Sequence, residues 1–190
     1  MKVLIKECKW YPVCSMKRFL EQNIEPGMSE EIFISHAHWD HTGGLSDLLK
    51  INPVKVYVPS SCPEPLGARE VIKIKEPLKI HENIFSTGEL DDIEQSLVIN
   101  TQKGSIVIVG CAHPGVKAIL EKVSQHGPPR VLIGDLHGFS DLDLLNNMEL
   151  VCPTHCTQFQ SEIKFLYPQK YLTGGVGRVV EINGYHYYSS

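Results

Sequence analysis

Four side chains that can bind a metal ion lie within six residues, directly after a short apolar run. The run is 31–35, and the segment that follows it is His36-Ala37-His38-Trp39-Asp40-His41. His36 and His38 are two residues apart, so both side chains project from the same face of an extended chain and can bind one ion. Asp40 and His41 follow in a turn and can bind a second ion nearby. Imidazole and carboxylate ligands together are typical of zinc or another first-row divalent metal.

Three further apolar runs are followed by side chains of the same kind. They are 104–109 with His113, 130–134 with Asp135 and His137, and 149–152 with His155. Open α/β sheets place their sites at the carboxyl ends of strands, so we expect these residues to meet the first segment at one sheet edge. Each also has a structural alternative, because strand-end histidines and N-capping aspartates are common. His137 in particular can either ligate an ion or lie beside one.

Short β-branched runs alternate with amphipathic stretches along the chain, a pattern typical of the α/β class. The chain has 190 residues, which suits a single domain over 1–190. We predict strands at 2–6, 31–35, 54–58, 95–100, 104–109, 130–134, 149–152, 177–182 and 185–188. We predict helices at 15–22, 43–50, 114–125, 140–147 and 158–166. Prolines interrupt 59–92, which we expect to be irregular with short strands, and the 95–100 and 104–109 runs are expected to form a hairpin.

The charge balance and the apolar runs exclude several classes of protein. Lys and Arg total 18 and Asp and Glu total 22, so the formal net charge is −4. A mildly acidic chain lacks the basic face that general nucleic-acid binding needs. No apolar run approaches the roughly 18 residues of a membrane-spanning helix. The N-terminal residues lack the pattern of a secretory signal, so we expect a cytoplasmic protein.

The chain has six cysteines, which are Cys8, Cys14, Cys62, Cys111, Cys152 and Cys156. No two of them form a C-x-x-C pair, so neither a zinc ribbon nor a thioredoxin-type redox site is indicated. The sequence favours the interpretation that they are buried thiols, which pack as small apolar groups.

Taken together, these segments resemble the metallo-β-lactamase superfamily. Its signature is matched by His36-x-His38-x-Asp40-His41, and its remaining ligands are matched in order by His113, Asp135 and His155. In amino-acid sequence, the segments 35–45, 110–115 and 153–157 are most similar to the branch that includes dihydropterin-ribofuranosylaminobenzene phosphate synthase. The resemblance covers about 30–190. It implies an α/β fold of the four-layer αββα type, with two sheets face to face, helices outside and the metals at one edge.

The resemblance also implies a dinuclear site that contains two divalent ions, zinc above all, with iron or manganese as alternatives. One ion would be held by His36, His38 and His113, and the other by Asp40, His41 and His155. Asp135 and a hydroxide would lie between the ions, Asp40 would orient the hydroxide, and His137 would donate a proton to the leaving group. The implied activity is hydrolysis, or phosphoryl handling, of a small-molecule ester or phosphoester.

The resemblance leaves three questions open. The alignment to the synthase-like branch would make His137 the ligand at the bridging position, whereas we favour Asp135 because a carboxylate can bridge two cations. An RNase Z-like nuclease, which the acidic balance disfavours, and a metal-stabilised member without activity are alternative functions. Only 35 residues precede His36, so we expect a reduced N-terminal sheet. A homodimer through the N-terminal region would cover its exposed edge.

Overall fold

The structure is a computed structural model that describes Gly27, residues 29–174 and Ile182. The strands predicted at 2–6 and 185–188 and the helix predicted at 15–22 lie outside the described residues. The same is true of all but the last residue of the strand predicted at 177–182. The expected homodimer contact through the N-terminal region also falls outside this part of the chain.

Nine strands and five helices make up the described part of the chain. The strands are β1 Glu31–Phe33, β2 Lys55–Pro59, β3 Glu70–Ile74, β4 Leu78–His81, β5 Ile84–Ser86, β6 Leu97–Thr101, β7 Gly104–Ile108, β8 Pro129–Gly134 and β9 Leu150–Pro153. The helices are α1 Trp39–Thr42, α2 Leu45–Ile51, α3 Val116–Ser124, a 3-10 helix Leu142–Asn147, and α4 Gln160–Leu166.

The strands form two sheets, and their directions decide where the strand ends meet. The first sheet has the order β1-β2-β3 and is parallel throughout its described strands. The second has the order β4 to β9, antiparallel from β4 to β7 and parallel from β7 to β9. The carboxyl ends of β7, β8 and β9 therefore lie along one edge of the second sheet.

Apolar side chains cover both faces of the second sheet. On one face Val107 and Leu132 belong to a buried cluster that includes Ile119 of α3 and Ile163 of α4. On the other face a separate cluster is formed by side chains such as Val131. A strand that is buried on both faces is apolar at successive positions, which explains the unbroken apolar runs in the sequence.

The first sheet is covered by α2. Leu49 of this helix belongs to the same buried cluster as Val56 and Val58 of β2. Each sheet thus has helices on one of its faces, which agrees with the predicted α/β class.

The predicted elements differ from the structure at several places. The region 59–92, expected to be irregular with short strands, contains β3, β4 and β5. The segment 140–147, predicted as a helix, holds a 3-10 helix instead. The β6–β7 hairpin is confirmed, and its turn is closed by a hydrogen bond from Thr101 Oγ1 to the carbonyl of Gly104. Among the described helices, none has the length and apolar character that crossing a bilayer requires.

Candidate metal centre

Four loops bring metal-capable side chains together at the edge of the sheets. The loops follow β1, β7, β8 and β9, the same four strand ends that the sequence singled out. Four sets of three side chains in the described part of the chain have ligand atoms within 4.8 Å of one another. These sets are His36, His38 and His113; His36, His41 and Cys111; Cys111, His113 and His137; and Cys111, Asp135 and Cys156.

The first of these sets, His36, His38 and His113, is called the three-histidine position below. Its ring centroids are 4.6 Å apart for His36 and His38, 4.6 Å for His36 and His113, and 4.7 Å for His38 and His113. His36 is completely buried, whereas His113 is half-buried and His38 is exposed. The position is therefore open to solvent on the His38 side.

The buried ring of His36 supplies the test of whether this position fits a metal ion. Burial, and then the neighbouring histidines, lower the pKa of His36 to about 2, so the ring is neutral and keeps a lone pair. Its Nδ1 lies 3.0 Å from the hydroxyl of Ser35. Its Nε2 is buried and has no hydrogen-bond partner among the described residues. A buried polar atom without a partner is costly, and a cation bound by three histidines would satisfy it.

The loop after β7 is held by a buried carboxylate that sequence reasoning missed. Glu94 Oε1 accepts hydrogen bonds from the backbone N–H groups of Gly110, Cys111 and Ala112, at 2.9, 3.1 and 3.1 Å. Glu94 Oε2 accepts the N–H of His113 at 3.1 Å and lies 2.8 Å from His113 Nδ1. Successive backbone N–H groups that converge in this way form an anion-binding nest, here with Ala112 at a φ of 53°. Because Nδ1 of His113 is engaged by the carboxylate, Nε2 is the atom left for a metal.

Gln95, which follows Glu94 in the chain, is hydrogen-bonded to the segment that precedes His36. Gln95 is fully buried, and its side-chain amide donates to the carbonyl of Ile34 at 2.8 Å. Its backbone N–H donates to the carbonyl of Ser35 at 2.9 Å. Glu94 and Gln95, shortly before β6, therefore position two ligand loops that are far apart in sequence.

A signal for Glu94 was present in the predicted hairpin. The register pairs Leu97 with Ile108, so residues before β6 lie opposite residues after β7. Counting three residues further along each strand places Glu94 opposite Cys111, inside the loop that carries His113. A carboxylate at the start of an antiparallel strand was thus a candidate partner for the ligand loop at the end of its neighbour.

One carboxylate oxygen of Asp135 faces the site, and the other accepts hydrogen bonds from the protein. Its Oδ1 accepts the Thr154 hydroxyl at 2.5 Å and the backbone N–H of Cys156 at 3.0 Å. Its Oδ2 lies 3.8 Å from the Sγ of Cys111. The preceding Gly134 has a φ of 130°, and a Cβ there would collide with the backbone of Val109, so the loop can approach β7 only without a side chain. Asp135 is therefore buried and oriented by the loop after β9.

His137 also reaches the site, but from the solvent side. Its side chain is exposed, its φ is 46°, and its ring centroid lies 4.7 Å from that of His113. Both Asp135 and His137 are thus members of close sets. Which of them binds the metals stays a prediction.

The remaining predicted ligands are placed differently. His41 lies in α1 with its Nε2 3.7 Å from Asp40 Oδ2 and 3.2 Å from Cys111 Sγ. Burial lowers the pKa of His41, while Asp40 acts in the opposite direction. Asp40 and His155 are half-buried and belong to none of the four close sets. His41 and Asp135 each share a close set with Cys111, and Asp135 also shares its set with Cys156.

The prediction of buried thiols is confirmed for Cys62, Cys111 and Cys152, whereas Cys156 is a thiol that is only half-buried. Cys62 lies in the apolar cluster of the first sheet and Cys152 in a cluster of the second. Cys111 and Cys156, by contrast, lie against Asp135. Burial, and then the carboxylate of Asp135, raise the pKa of both of these thiols.

A methyl group at Gly110 is expected to disturb the three-histidine position. A Cβ there would lie 2.6 Å from Ser35 Cβ and 2.9 Å from His36 Nδ1, and would also meet the Ser35 hydroxyl. Gly110→Ala should therefore cost about 1–3 kcal/mol of stability and weaken metal binding. The control is Gly138→Ala, whose Cβ meets only the flexible side chain of Gln158, at 3.3 Å. Chemical denaturation and a zinc titration check both variants, and equal affinity in the two would contradict the prediction.

The comparisons with known proteins agree with this fold. The family model of the metallo-beta-lactamase superfamily matches residues 14–147, and the chain belongs to this superfamily. A solved structure of Tm1679, described as a metal-dependent hydrolase of the beta-lactamase superfamily, superposes with a TM-score of 0.71 and 22% identity, over 88% of this chain and 84% of that one. The predicted α/β metallo-β-lactamase fold is confirmed.

Two further proteins are similar to this chain. A curated relative from Methanocaldococcus jannaschii is named 7,8-dihydropterin-6-methyl-4-(beta-D-ribofuranosyl)-aminobenzene-5'-phosphate synthase. It is 26% identical, over 76% of this chain and 71% of its own length. Igni18, a solved metallo hydrolase from Ignicoccus hospitalis, superposes with a TM-score of 0.54 and 15% identity, over 87% of this chain and 83% of that one.

Proposed function

We propose that the protein is a metal-dependent hydrolase that acts on a small-molecule ester or phosphoester with the help of two divalent ions, zinc above all. The observation that carries the proposal is the buried Nε2 of His36 in the three-histidine position, which has no partner within the described part of the chain. Structural zinc sites are usually closed by four protein ligands, whereas catalytic sites offer three and leave a place for water or substrate. Three histidines with an exposed His38 fit the second type.

The residues divide into two groups by the ion they would hold. His36, His38 and His113 would hold the first ion, and His41 and Asp135 would contribute to the second, with Asp40 and His155 as further ligands. When bound, a pair of divalent ions makes water acidic enough to attack at neutral pH and polarises the attacked group.

Two side chains, Asp40 and His137, would then orient the water and donate a proton. Asp40 accepts a hydrogen bond from the attacking water through a carboxylate oxygen and so orients it. His137, exposed at the mouth of the site, donates a proton from a ring nitrogen to the leaving group. An imidazole can hold and release a proton near neutral pH, which suits this role.

The relatives support the substrate class. One of them is named as a synthase whose product carries a 5'-phosphate, and two others are described as hydrolases. A phosphate-bearing small molecule is therefore the first substrate class to test. The net charge of −4 favours this over a nucleic acid. A cytoplasmic location and a homodimer through the N-terminal region remain predictions.

The purified protein is expected to bind about two divalent ions per chain, as a two-ion site requires. His38→Ala should lower this number, because it removes one of the three imidazoles that surround the first ion. Metal analysis after loading with zinc, iron or manganese measures the content. Hydrolysis of an aryl phosphomonoester, an aryl phosphodiester and an aryl carboxylate ester measures turnover.

The matched control is His126→Ala, which removes an exposed histidine that stacks on Phe85 and belongs to none of the close sets. It should keep both metal content and turnover. A protein that binds no metal after loading, or a His38→Ala variant that is as active as the control, would contradict the proposed function.

A further inference from the structure

We propose that an apolar cleft beside the metal-binding segment holds a neutral aryl group of the substrate, or an alkyl group of similar size. The cleft, called the Leu66 cleft below, lies between α2 and the loop that follows β2. Ile34, directly after β1, and Val58 of β2 also line it. The inference rests on the proposed function, because it assigns a place to the part of the substrate that does not react.

The size and the lining of the Leu66 cleft suit one ring. Its volume is about 160 Å³, and an apolar cavity of about 150 Å³ is large enough to bind benzene. Leu45 of α2 and Pro63, Pro65 and Leu66 of the loop supply apolar walls. Sites for small molecules usually combine such walls with a few polar groups. The cleft therefore fits a single ring or a branched alkyl group.

The cleft and the candidate metal centre share one stretch of backbone. Ala37, which lies between His36 and His38, lines the cleft, and so does Thr42, directly after His41. The Thr42 hydroxyl donates to the carbonyl of His38 at 3.1 Å and to that of Ala37 at 3.4 Å. Adjacent Cα atoms are about 3.8 Å apart, so the cleft wall at Ala37 is one residue from two imidazoles of the three-histidine position. This proximity allows one small molecule to contact both.

The loop that carries Leu66 is held in place at its base. Leu66 itself is 86% exposed, which is common for a single leucine. At the start of the loop, however, the buried carboxylate of Glu89 accepts the N–H of Ser61 at 2.9 Å, and the Lys73 ammonium donates to the carbonyl of Cys62. The two prolines of the loop also fix backbone φ angles. A wall that is already ordered loses little conformational freedom when a ligand binds to it.

The polar groups of the cleft favour a neutral occupant. Among the described residues that line it, Glu64 is the only one with a charged side chain. Its carboxylate repels a carboxylate or phosphate group placed in the cleft. Ser46 and Thr42 contribute hydroxyl groups, which are uncharged. An anionic reacting group therefore belongs at the metal ions, and the neutral remainder of the substrate belongs in the cleft.

The first test compares methylphosphonate with phenyl-, benzyl- and 2-phenylethylphosphonate. These compounds cannot be hydrolysed, and the three aryl members differ in the length of the link between the ring and the phosphonate. Calorimetry with the full-length, zinc-loaded protein measures the four dissociation constants. At least one aryl compound should bind about 10–100-fold more tightly than methylphosphonate, because its ring is removed from water. Equal affinity for all four would overturn the inference.

Substitutions at exposed positions assign this preference to the cleft. Leu66→Ala should lower the affinity for the best aryl phosphonate by about 3–10-fold, because apolar contact is lost. Ser46→Trp adds an indole to the α2 wall and should remove the preference. The controls are Leu166→Ala, at an exposed leucine outside the cleft, and Lys50→Trp, at an exposed position of α2 outside it. Both controls should match the wild type, and all four variants should bind methylphosphonate equally well. A preference that survives Ser46→Trp overturns the inference.

A second test uses a neutral probe and does not depend on the metal ions. The probe is 4-fluorobenzyl alcohol, and fluorine NMR of the full-length protein, with and without zinc, reports its binding. The resonance should broaden with the wild type and with Leu166→Ala, but not with Ser46→Trp. A resonance that stays sharp with the wild type, as it would if another part of the chain filled the cleft, overturns the inference.

The outcomes separate this inference from the proposed function. An aryl preference that disappears in Ser46→Trp, in a protein that hydrolyses none of the test esters, supports the Leu66 cleft and counts against the proposed hydrolase. Turnover that depends on His38 without any preference for a ring overturns the role of the cleft and leaves the hydrolase proposal standing.

Discussion

Replacing Glu94 with alanine is expected to lower the free energy of unfolding by about 3–5 kcal/mol, because it leaves several buried N–H groups without an acceptor. The carboxylate accepts the backbone N–H groups of Gly110, Cys111, Ala112 and His113 and lies beside His113 Nδ1. Glu94 is 1% exposed, so water can replace it only by entering a new cavity. Denaturant unfolding of the metal-free protein measures the loss.

Glu94→Gln separates the effect on stability from the effect on the metal. The glutamine can keep one oxygen for the loop, but its NH₂ group would face the N–H and Nδ1 of His113. His113 Nδ1 would then have to accept a hydrogen bond, which moves the ring proton to Nε2, the atom left for the metal. Metal affinity should fall by about 10–100-fold, the usual effect of losing such a partner.

The control for both substitutions is Glu89, a second buried carboxylate away from the site. It accepts the N–H of Ser61 at 2.9 Å and pairs with Lys75 at 3.3 Å. Glu89→Ala should destabilise the protein less, and Glu89→Gln should leave metal affinity unchanged. If Glu94→Gln bound zinc as tightly as the wild type, the carboxylate would have only a structural role.

Asp135→Ala is expected to lower metal content and abolish turnover. The substitution removes the negative charge that the proposed site places between two cations. It also leaves the Thr154 hydroxyl and the Cys156 N–H without their acceptor. Asp135→Asn is the matched variant, because it keeps the size and one acceptor oxygen and loses only the charge. It should fold normally and still lose metal, which shows that the charge is what matters.

His137→Ala is expected to behave in the opposite way. It should keep the metals and lose about 10²–10⁴ in rate, the range for a general acid. The loss should shrink for substrates with acidic leaving groups, because these need no proton. The alignment to the synthase-like branch predicts the reverse pattern, with metal lost in His137→Ala and kept in Asp135→Ala. Metal analysis of the two variants therefore decides between them before any substrate is known.

The sequence was sufficient to predict the strand ends that carry the site. His36 and His38 are recognisable because their spacing on an extended segment is local information. His113 and Asp135 could be placed at the same edge because parallel strands align their carboxyl ends. The β6–β7 hairpin was predictable for a similar reason, since both strands and their turn are adjacent in the chain.

Other features were decided by tertiary structure alone. β3 pairs in parallel with β2 across an intervening loop, and no local pattern within 59–92 reveals that partner. The hairpin register places Glu94 opposite Cys111, but its contacts are with a loop 16 to 19 positions further along the chain, whose path the sequence does not show. Cys111 contacts His41, 70 positions away.

The physical difference is between side-chain spacing and contact. Spacing follows from the geometry of one strand or helix, so the sequence determined which residues can project toward a metal. Contact depends on sheet register and on where loops cross, which are set by the packing of both sheets. The sequence therefore determined the histidine motif and the class of fold. Only the folded chain revealed the carboxylate that positions the His113 loop and the two thiols beside Asp135.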